Sequence, residues 1–414
     1  MRIAIIGTGI SGLTASYLLN KKHDIVVYEK NDYIGGHTHT HEIKSHDQLY
    51  SVDSGFIVYN EDTYPNFIKL INKLGVQSQK TSMGFSVKSK NKNLEYAGNS
   101  IKSLFAQKLN MIRPSFWLML IDILRFNKKA KHDIGRISPT IKLGDYLESN
   151  KYSHFFIDNY IIPMGAAIWS TKAKSMMNMP ALFFIRFFNN HGLLQIKDRS
   201  GWWVIKGGSH KYVEKLIHGF KSKIKLSTPI HSIARKNEKV IVKTSKSKEE
   251  IFDAVVIATH SDQAMAMLSD PTYEEKEILS ALPYQLNKGL LHTDESVLPK
   301  RKLAWSSWNY NLDQDVNHPM AMTYNMNILQ SLISIENFCV TLNNKNLVDS
   351  SKILKELEYE HPEFNSKSIL AQQRKHEISG VNNTYYCGAY WRNGFHEDGV
   401  VSALEVCKHF GLSL

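Results

Sequence analysis

Near the start of the chain apolar residues fall in short unbroken runs. Residues 2–7 (RIAIIG) are too few for a helix and apolar on both faces, as in a buried parallel strand. Residues 12–20 (GLTASYLLN) follow as a helix entered through glycines, and 25–30 (IVVYEK) as a second strand. This β-α-β unit opens a doubly wound sheet. Residues 224–244 alternate like hairpin strands, and 252–260 (FDAVVIATH) read as another buried strand that opens into a helix. After TYYCGAYW, the pair Asn393-Gly394 marks a turn, and Glu397-Asp398-Gly399 lead into a closing helix from about Val400 to Phe410.

Strands of one sheet thus come from both ends of the chain. Residues 1–60, 200–265 and 379–414 are expected to form a discontinuous nucleotide domain, with 61–199 and 266–378, richer in aromatic residues and helical patterns, as an inserted substrate domain. A chain of 414 residues exceeds one ordinary core, so it can enclose a large cofactor.

Candidate chemistry starts at the first turn. Gly7, Gly9 and Gly12 form GxGxxG between strand and helix: the first permits the turn, the second lets backbone approach a pyrophosphate, and the third allows close helix packing. The helix N-terminus then faces the phosphates. Glu29 ends the second strand, where a carboxylate accepts ribose hydroxyls. The unit specifies an adenine dinucleotide without choosing between NAD and FAD.

Composition narrows the setting. No stretch reaches the roughly 18 apolar residues of a membrane span, and the apolar opening is interrupted by ordered glycines, so it reads as mature fold rather than a leader. Cys339, Cys387 and Cys407 have no disulfide or metal spacing, which predicts a reducing, cytoplasmic setting. His37, His39 and His41 alternate but lack an acidic or thiol partner at ligand spacing, so no metal is expected. The net charge is +12, and residues 86–132 supply +8 of it, around the apolar segment Arg113–Asn127. That segment suits either a buried helix or one lying on an anionic membrane surface, peripheral at its inner face; nucleic acid is not expected.

Further blocks carry a resemblance. EKNDYIGGHTHT, with Gly35 and Gly36, resembles the second glycine pair of the flavin amine oxidase superfamily, and GFHEDGVVSALE (394–405) resembles its last flavin contact. The resemblance implies noncovalent FAD and a Rossmann-like α/β FAD-binding domain of the amine-oxidase type with an inserted α+β substrate domain. Cofactor contacts would fall on Gly7, Gly9, Ser11, Gly12, Glu29, Lys30, Gly35, Gly36, His37, Thr38, Ile230, Asp398, Gly399 and Val400. The superfamily commonly places an arginine after the paired glycines, where this chain has His37. Amides near Gly399 and Val400 would face the flavin, and Asp398 its ribityl or pyrophosphate side.

Blocks 52–67, 163–171, 187–213, 291–310 and 394–399 together resemble one bacterial amine-oxidase-like flavoprotein family. Its relatives are linked to modification of unsaturated acyl chains in membrane lipids, alongside cyclopropane fatty-acid synthase-type methyltransferases, and to furan fatty acids. The resemblance therefore implies a dehydrogenase or desaturase acting on a lipid acyl chain, with such a methyltransferase as functional partner. A flavin amine oxidase, a carotenoid- or porphyrinogen-type desaturase and a non-catalytic lipid carrier are the alternatives of related fold.

Within that reading Lys288 occupies the place where many flavin amine oxidases hold a water-binding lysine, with a plain strand lysine as the other reading. His191 and His292 are candidates for proton transfer or structural histidines. Trp169, Tyr390 and Trp391 are candidate substrate neighbours or packing residues. Cys387 lies late in the chain, but TYYCGAYW does not match a covalent flavin-attachment motif.

Overall fold

The structure, a computed structural model, describes residues 1–195, 201–245, 249–313 and 321–414. Part of the block 187–213, residues 196–200, lies outside them.

β1 (Arg2–Ile6), α1 (Ile10–Leu19) and β2 (Asp24–Tyr28) form the expected opening unit. β1 is the middle strand of a five-stranded parallel sheet, ordered Ile224–Lys225, β2, β1, Ala254–Ile257, Thr384–Tyr386. Ile3 and Ile5 pack into a core on one face, while Ala4 and Ile6 pack into a second core on the other. Burial on both faces explains the unbroken apolar run. Residues 224–244 divide: Ile224–Lys225 edges this sheet, and only Ile230–Lys236 and Lys239–Thr244 make a hairpin. Its turn residues Asn237 and Glu238 both have positive φ, 51° and 58°. Two such residues suit a type I′ hairpin turn, which follows the natural strand twist.

A seven-stranded sheet stands beyond the first, ordered Ile353–Pro362, Tyr284–His292, Cys339–Leu342, Ala321–Asn325, Trp308–Asn311, Phe85–Ser89, Leu94–Ala97. Its pairs are antiparallel except Trp308–Asn311 with Phe85–Ser89. A helical layer that includes Pro114–Asp133, Ile162–Trp169 and Ala181–Asn190 packs through Phe116, Phe126, Trp169, Phe184 and Phe188. The strand Trp202–Ile205 pairs with Val58–Asn60 and Ser78–Thr81 in a separate three-stranded sheet.

The basic-flanked segment forms the helix Pro114–Asp133, with its proline at the first position, where no intrahelical N–H is needed. One face of this helix is buried and the other is exposed. Phe116, Met119 and Phe126 are buried, whereas Trp117, Leu118, Ile121 and Leu124 are exposed. Among the described residues no helix is long and apolar enough to cross a membrane.

Candidate functional site

The carboxyl ends of the parallel strands open on a cavity of about 1280 Å³. Ile6 and Gly7, Tyr28 and Glu29, Ala258 and Thr259, and Gly388 line it, each at or just beyond the end of a strand. Ligands of open α/β sheets bind at this edge. The volume exceeds the roughly 300–1,000 Å³ of a typical small-molecule pocket, so a dinucleotide leaves room for a second molecule.

At the sheet end the glycines make a cradle. Gly7 turns with φ +102°, and a Cβ on Gly12 would stand 2.0 Å from the Gly7 carbonyl oxygen, so α1 starts directly against the turn. A Cβ on Gly9 would meet no protein atom, because Gly9 borders the cavity. Gly36, at φ +58°, folds back until its own Cβ would lie 3.1 Å from the Gly9 Cα. Two backbone loops therefore converge beside the N-terminus of α1, where amide dipoles favour an anion.

The Glu29 carboxylate accepts from the Thr8 amide at 2.9 Å, the Thr8 hydroxyl at 2.6 Å and the Asn31 amide at 2.9 Å. It still has acceptor capacity for a ribose diol, since an ionised carboxylate offers about four lone-pair sites. Ser11, Lys30, Gly35 and Ile230 also line the cavity. Thr38 does not: its amide donates to Gly35 O and its hydroxyl meets Tyr212 Oη at 2.5 Å. Its place is behind the loop, closing the turn rather than touching the cofactor.

His37 lines the cavity with Nε2 unpartnered, amid the rings of Tyr359, His361 and His260 at 5.2, 5.4 and 6.3 Å. Burial, and then His260, hold its imidazole down at about 4. Burial likewise lowers His260 to about 4 and His361 to about 3. The orphaned nitrogen, the double glycine cradle and the Glu29 carboxylate fit the diphosphate and ribose of FAD.

The last expected contact shifts by one turn. The closing helix begins at His396, not near Val400, because Asp398 lies inside its first turn and accepts the amides of Phe395 at 2.9 Å and Asn393 at 3.2 Å. Asp398 is spent on that turn and does not line the cavity. The Gly399 amide already donates to Phe395 O, and Val400 is fully buried in the core, and neither lines the cavity. Gly399 serves packing instead: a Cβ there would lie 2.6 Å from Ile10 Cγ2. Gly394, Phe395 and His396 line the cavity in their place. Glu397 reaches away to accept the amides of Asn66 and Phe67, capping the helix Pro65–Lys73.

The far end of the cavity is walled by the helical layer and the seven-stranded sheet, with Phe85, Ile168, Trp169, Phe187, Trp308 and Leu342 among its residues. His191 stands there, its ring stacked on Phe187 at 3.8 Å and its Nδ1–H donated to Phe187 O at 3.0 Å. That bond fixes the tautomer and leaves Nε2 as the acceptor; burial lowers the ring to about 4, so it is neutral near pH 7. Trp169 donates to Asn393 O at 3.3 Å, and both Trp169 and Tyr390 line the cavity.

Three further expected residues are not brought to the site. Trp391 is buried behind Tyr390 and is not part of the lining. Lys288 is solvent-exposed on the strand Tyr284–His292; Tyr284 and Leu286 of that strand reach the cavity, and Lys288 lies beyond them. His292 is fully buried, bonded to Thr341 Oγ1 at 2.8 Å and accepting the Asp294 amide at 3.0 Å, which makes it structural.

The sequence pattern of the family described as flavin containing amine oxidoreductase spans residues 10–326. The chain belongs to this family. Prenylcysteine oxidase 1 of Mus musculus is 23% identical over 314 residues, 66% of this chain and 59% of that protein. Its Bos taurus counterpart is 22% identical over 308 residues, again 66% and 59%. The chain thus spans less than two thirds of the length of these curated relatives. Among solved structures, a CLA-producing fatty acid isomerase from P. acnes superposes with TM-score 0.70 at 15% identity, covering 99% of this chain and 98% of that one. Cyclohexylamine oxidase from Brevibacterium oxydans superposes with TM-score 0.71 at 13% identity, covering 99% of both chains. The chain is accordingly an FAD-dependent oxidoreductase with the amine-oxidase fold.

Several site residues of the oxidoreductase escaped the sequence reading. His260 ends FDAVVIATH at the carboxyl edge of the nucleotide sheet, a placement that could have nominated it. His396 lies inside the GFHEDG block, where the neighbouring Glu397 and Asp398 carry the stronger local signal. His361 and Tyr359 end a strand of the other sheet, and nothing local marks them.

Proposed function

We propose that this oxidoreductase dehydrogenates a long acyl chain, most simply an unsaturated or methylated fatty acyl group of a membrane phospholipid. The observation that carries the reading is the far end of the cavity. The charged residues among the described lining are Glu29, Lys30, Glu358 and Glu360, which belong to the nucleotide edge and the strand Ile353–Pro362. The wall made by Phe85, Ile168, Trp169, Phe187, Trp308 and Leu342 is apolar. A hydrocarbon gains from leaving water there, by about 0.8 kcal/mol per buried CH₂. A buried ammonium would find no carboxylate among these residues. The names of two similar proteins, a prenylcysteine oxidase and a fatty acid isomerase, point to ligands with long hydrocarbon parts, which supports the same choice.

FAD, when bound, supplies the acceptor for a hydride equivalent. The chain holds the substrate against the aromatic wall, excludes water and receives the accompanying proton. His191 is the group placed for that proton, at Nε2, because its Nδ1–H is committed to Phe187 O. Loss of a hydride equivalent from one carbon and a proton from its neighbour leaves a carbon–carbon double bond.

Anaerobic mixing of the FAD-loaded protein with phospholipids bearing unsaturated chains, and separately with aliphatic amines, tests this. The flavin absorbance should bleach with the lipid and not with the amine. Bleaching by amines alone, with hydrogen peroxide on admitting air, would sink the acyl-chain reading.

A further inference from the structure

Outside the cavity, residues 101–131 expose a cluster of large apolar side chains. Met111, Ile112, Trp117, Leu118, Ile121 and Leu124 are all exposed, with Ile112 at 77% and Ile121 at 57%. Trp117, Ile121 and Leu124 recur at helical spacing on the outer face of Pro114–Asp133, opposite the buried Phe116, Met119 and Phe126. The preceding turn is fastened to the same face. Trp117 Nε1 donates to Met111 O at 2.9 Å, and the ring of Phe105 lies 5.5 Å from that of Trp117. The apolar residues thus form one platform, and exposed patches of this kind mark contact surfaces.

Charge decides what the platform meets. Lys102, Lys108, Lys128 and Lys131 are exposed around it and form no ion pair among the described residues. The nearby carboxylates are already engaged: Asp122 is buried against Arg125 at 3.2 Å, and Asp133 faces Lys129 at 3.4 Å. A second copy of the same face would oppose lysines to lysines, which disfavours a symmetric dimer. An anionic phospholipid surface offers hydrocarbon for the platform and phosphate for its rim.

We infer that the outer face of Pro114–Asp133, with Met111 and Ile112, docks the enzyme on an anionic membrane surface. The helix lies in the plane of the headgroups, with Trp117 and Ile121 entering the acyl boundary and the four lysines among the phosphates. The inference stands on this surface alone and does not depend on which substrate the cavity takes.

Co-flotation of the FAD-loaded protein with phosphatidylglycerol vesicles and with phosphatidylcholine vesicles tests it. The protein should float with the anionic vesicles, weakly with the neutral ones, and dissociate as salt rises. Lys128→Glu with Lys131→Glu should weaken anionic partition roughly thirtyfold or more, from about 1 kcal/mol per lysine removed. Trp117→Ser with Ile121→Ser should weaken it roughly tenfold or more, since each buries a large apolar side chain. Flavin absorbance should stay at the wild-type value in both pairs and the melting temperature in the lysine pair, whereas loss of the Trp117 bond to Met111 O should lower the melting temperature modestly in the other, so lost docking is read apart from lost folding. Equal partition to both vesicle types, no flotation, or flotation unchanged in the variants would overturn the inference. So would a dimer in sedimentation that dissolves on Trp117→Ser while the wild type ignores vesicles.

Discussion

Tyr212 Oη lies 2.8 Å from His396 Nε2 and 2.5 Å from Thr38 Oγ1, so one buried phenol ties the loop after the second glycine pair to the first residue of the closing helix. The His396 ring is also stacked on Phe56 at 3.6 Å, with 7° between the planes. Burial holds that imidazole well below its usual range, so it is neutral and bonded at Nε2. Two cavity-lining segments remote in sequence are thereby held in register.

Tyr212→Phe breaks both bonds and should cost about 1–3 kcal/mol of unfolding free energy, as expected for buried partners left unpaired. Thr38→Val removes one of the two and should cost less. In a double-mutant cycle the two should be clearly sub-additive, because they act in one chain of bonds. Denaturant unfolding of the four proteins measures this; full additivity would show that the chain does not act as a unit.

Gly9→Ala and Gly12→Ala should part company. Gly9 has φ −65° and open space at its Cβ, so the alanine protein should fold with normal apoprotein stability while FAD binding falls at least roughly tenfold, the methyl occupying phosphate space. Gly12→Ala puts a methyl 2.0 Å from a backbone carbonyl and should destabilise the apoprotein itself. Flavin fluorescence titration and apoprotein melting separate the two effects.

Acid should unfold the enzyme earlier than its carboxylates alone would. His191 and His292 are held to about 4, chiefly by burial, against an ordinary value near 6.5. Between these limits the unfolded chain binds protons that the folded chain refuses, so their contribution is intact above about pH 6.5 and is lost as pH falls toward 4. His292→Gln should flatten that part of the stability–pH curve in denaturant unfolding between pH 4 and 7.

Bound diphosphate should pull protons onto the histidines at the cradle. With His37 and His260 at about 4 in the protein alone, anion binding raises both, so FAD affinity should increase as pH falls toward 4. Calorimetry at pH 5 in buffers of different ionisation enthalpy should register proton uptake, reduced in His37→Gln. Equal heats in all buffers would rule the linkage out.

The flavin should be held without a covalent bond. Cys387 is buried away from the cavity lining, and burial pushes its thiol up to about 12, leaving no thiolate to attack. Acid precipitation should leave the protein pellet colourless and the supernatant yellow.

Sequence legibility followed locality. Gly7, Gly9, Gly12 and Glu29 could be assigned because turn, helix start and ribose acid belong to one β-α-β unit, whose geometry is fixed by neighbours in the chain. Lys288 and His292 failed for the opposite reason. Their strand could be read, but whether a residue on it meets the cavity, solvent or Thr341 depends on the sheet packed around it. Asp398 failed through a boundary error of one turn, which moved the free end of the closing helix to Gly394–His396.

The sequence by itself determined the nucleotide edge: strand, glycine turn, helix and carboxylate follow from backbone sterics and short-range periodicity, and these act within about thirty residues. Only the tertiary structure decided the rest of the site. It set His37 among His260, His361 and Tyr359, joined Thr38 to His396 through Tyr212, and left Trp117 and Ile121 outside the core. Each of these depends on which surfaces distant segments bury against one another, and apolar burial is non-directional, so the one-dimensional pattern does not specify the partner.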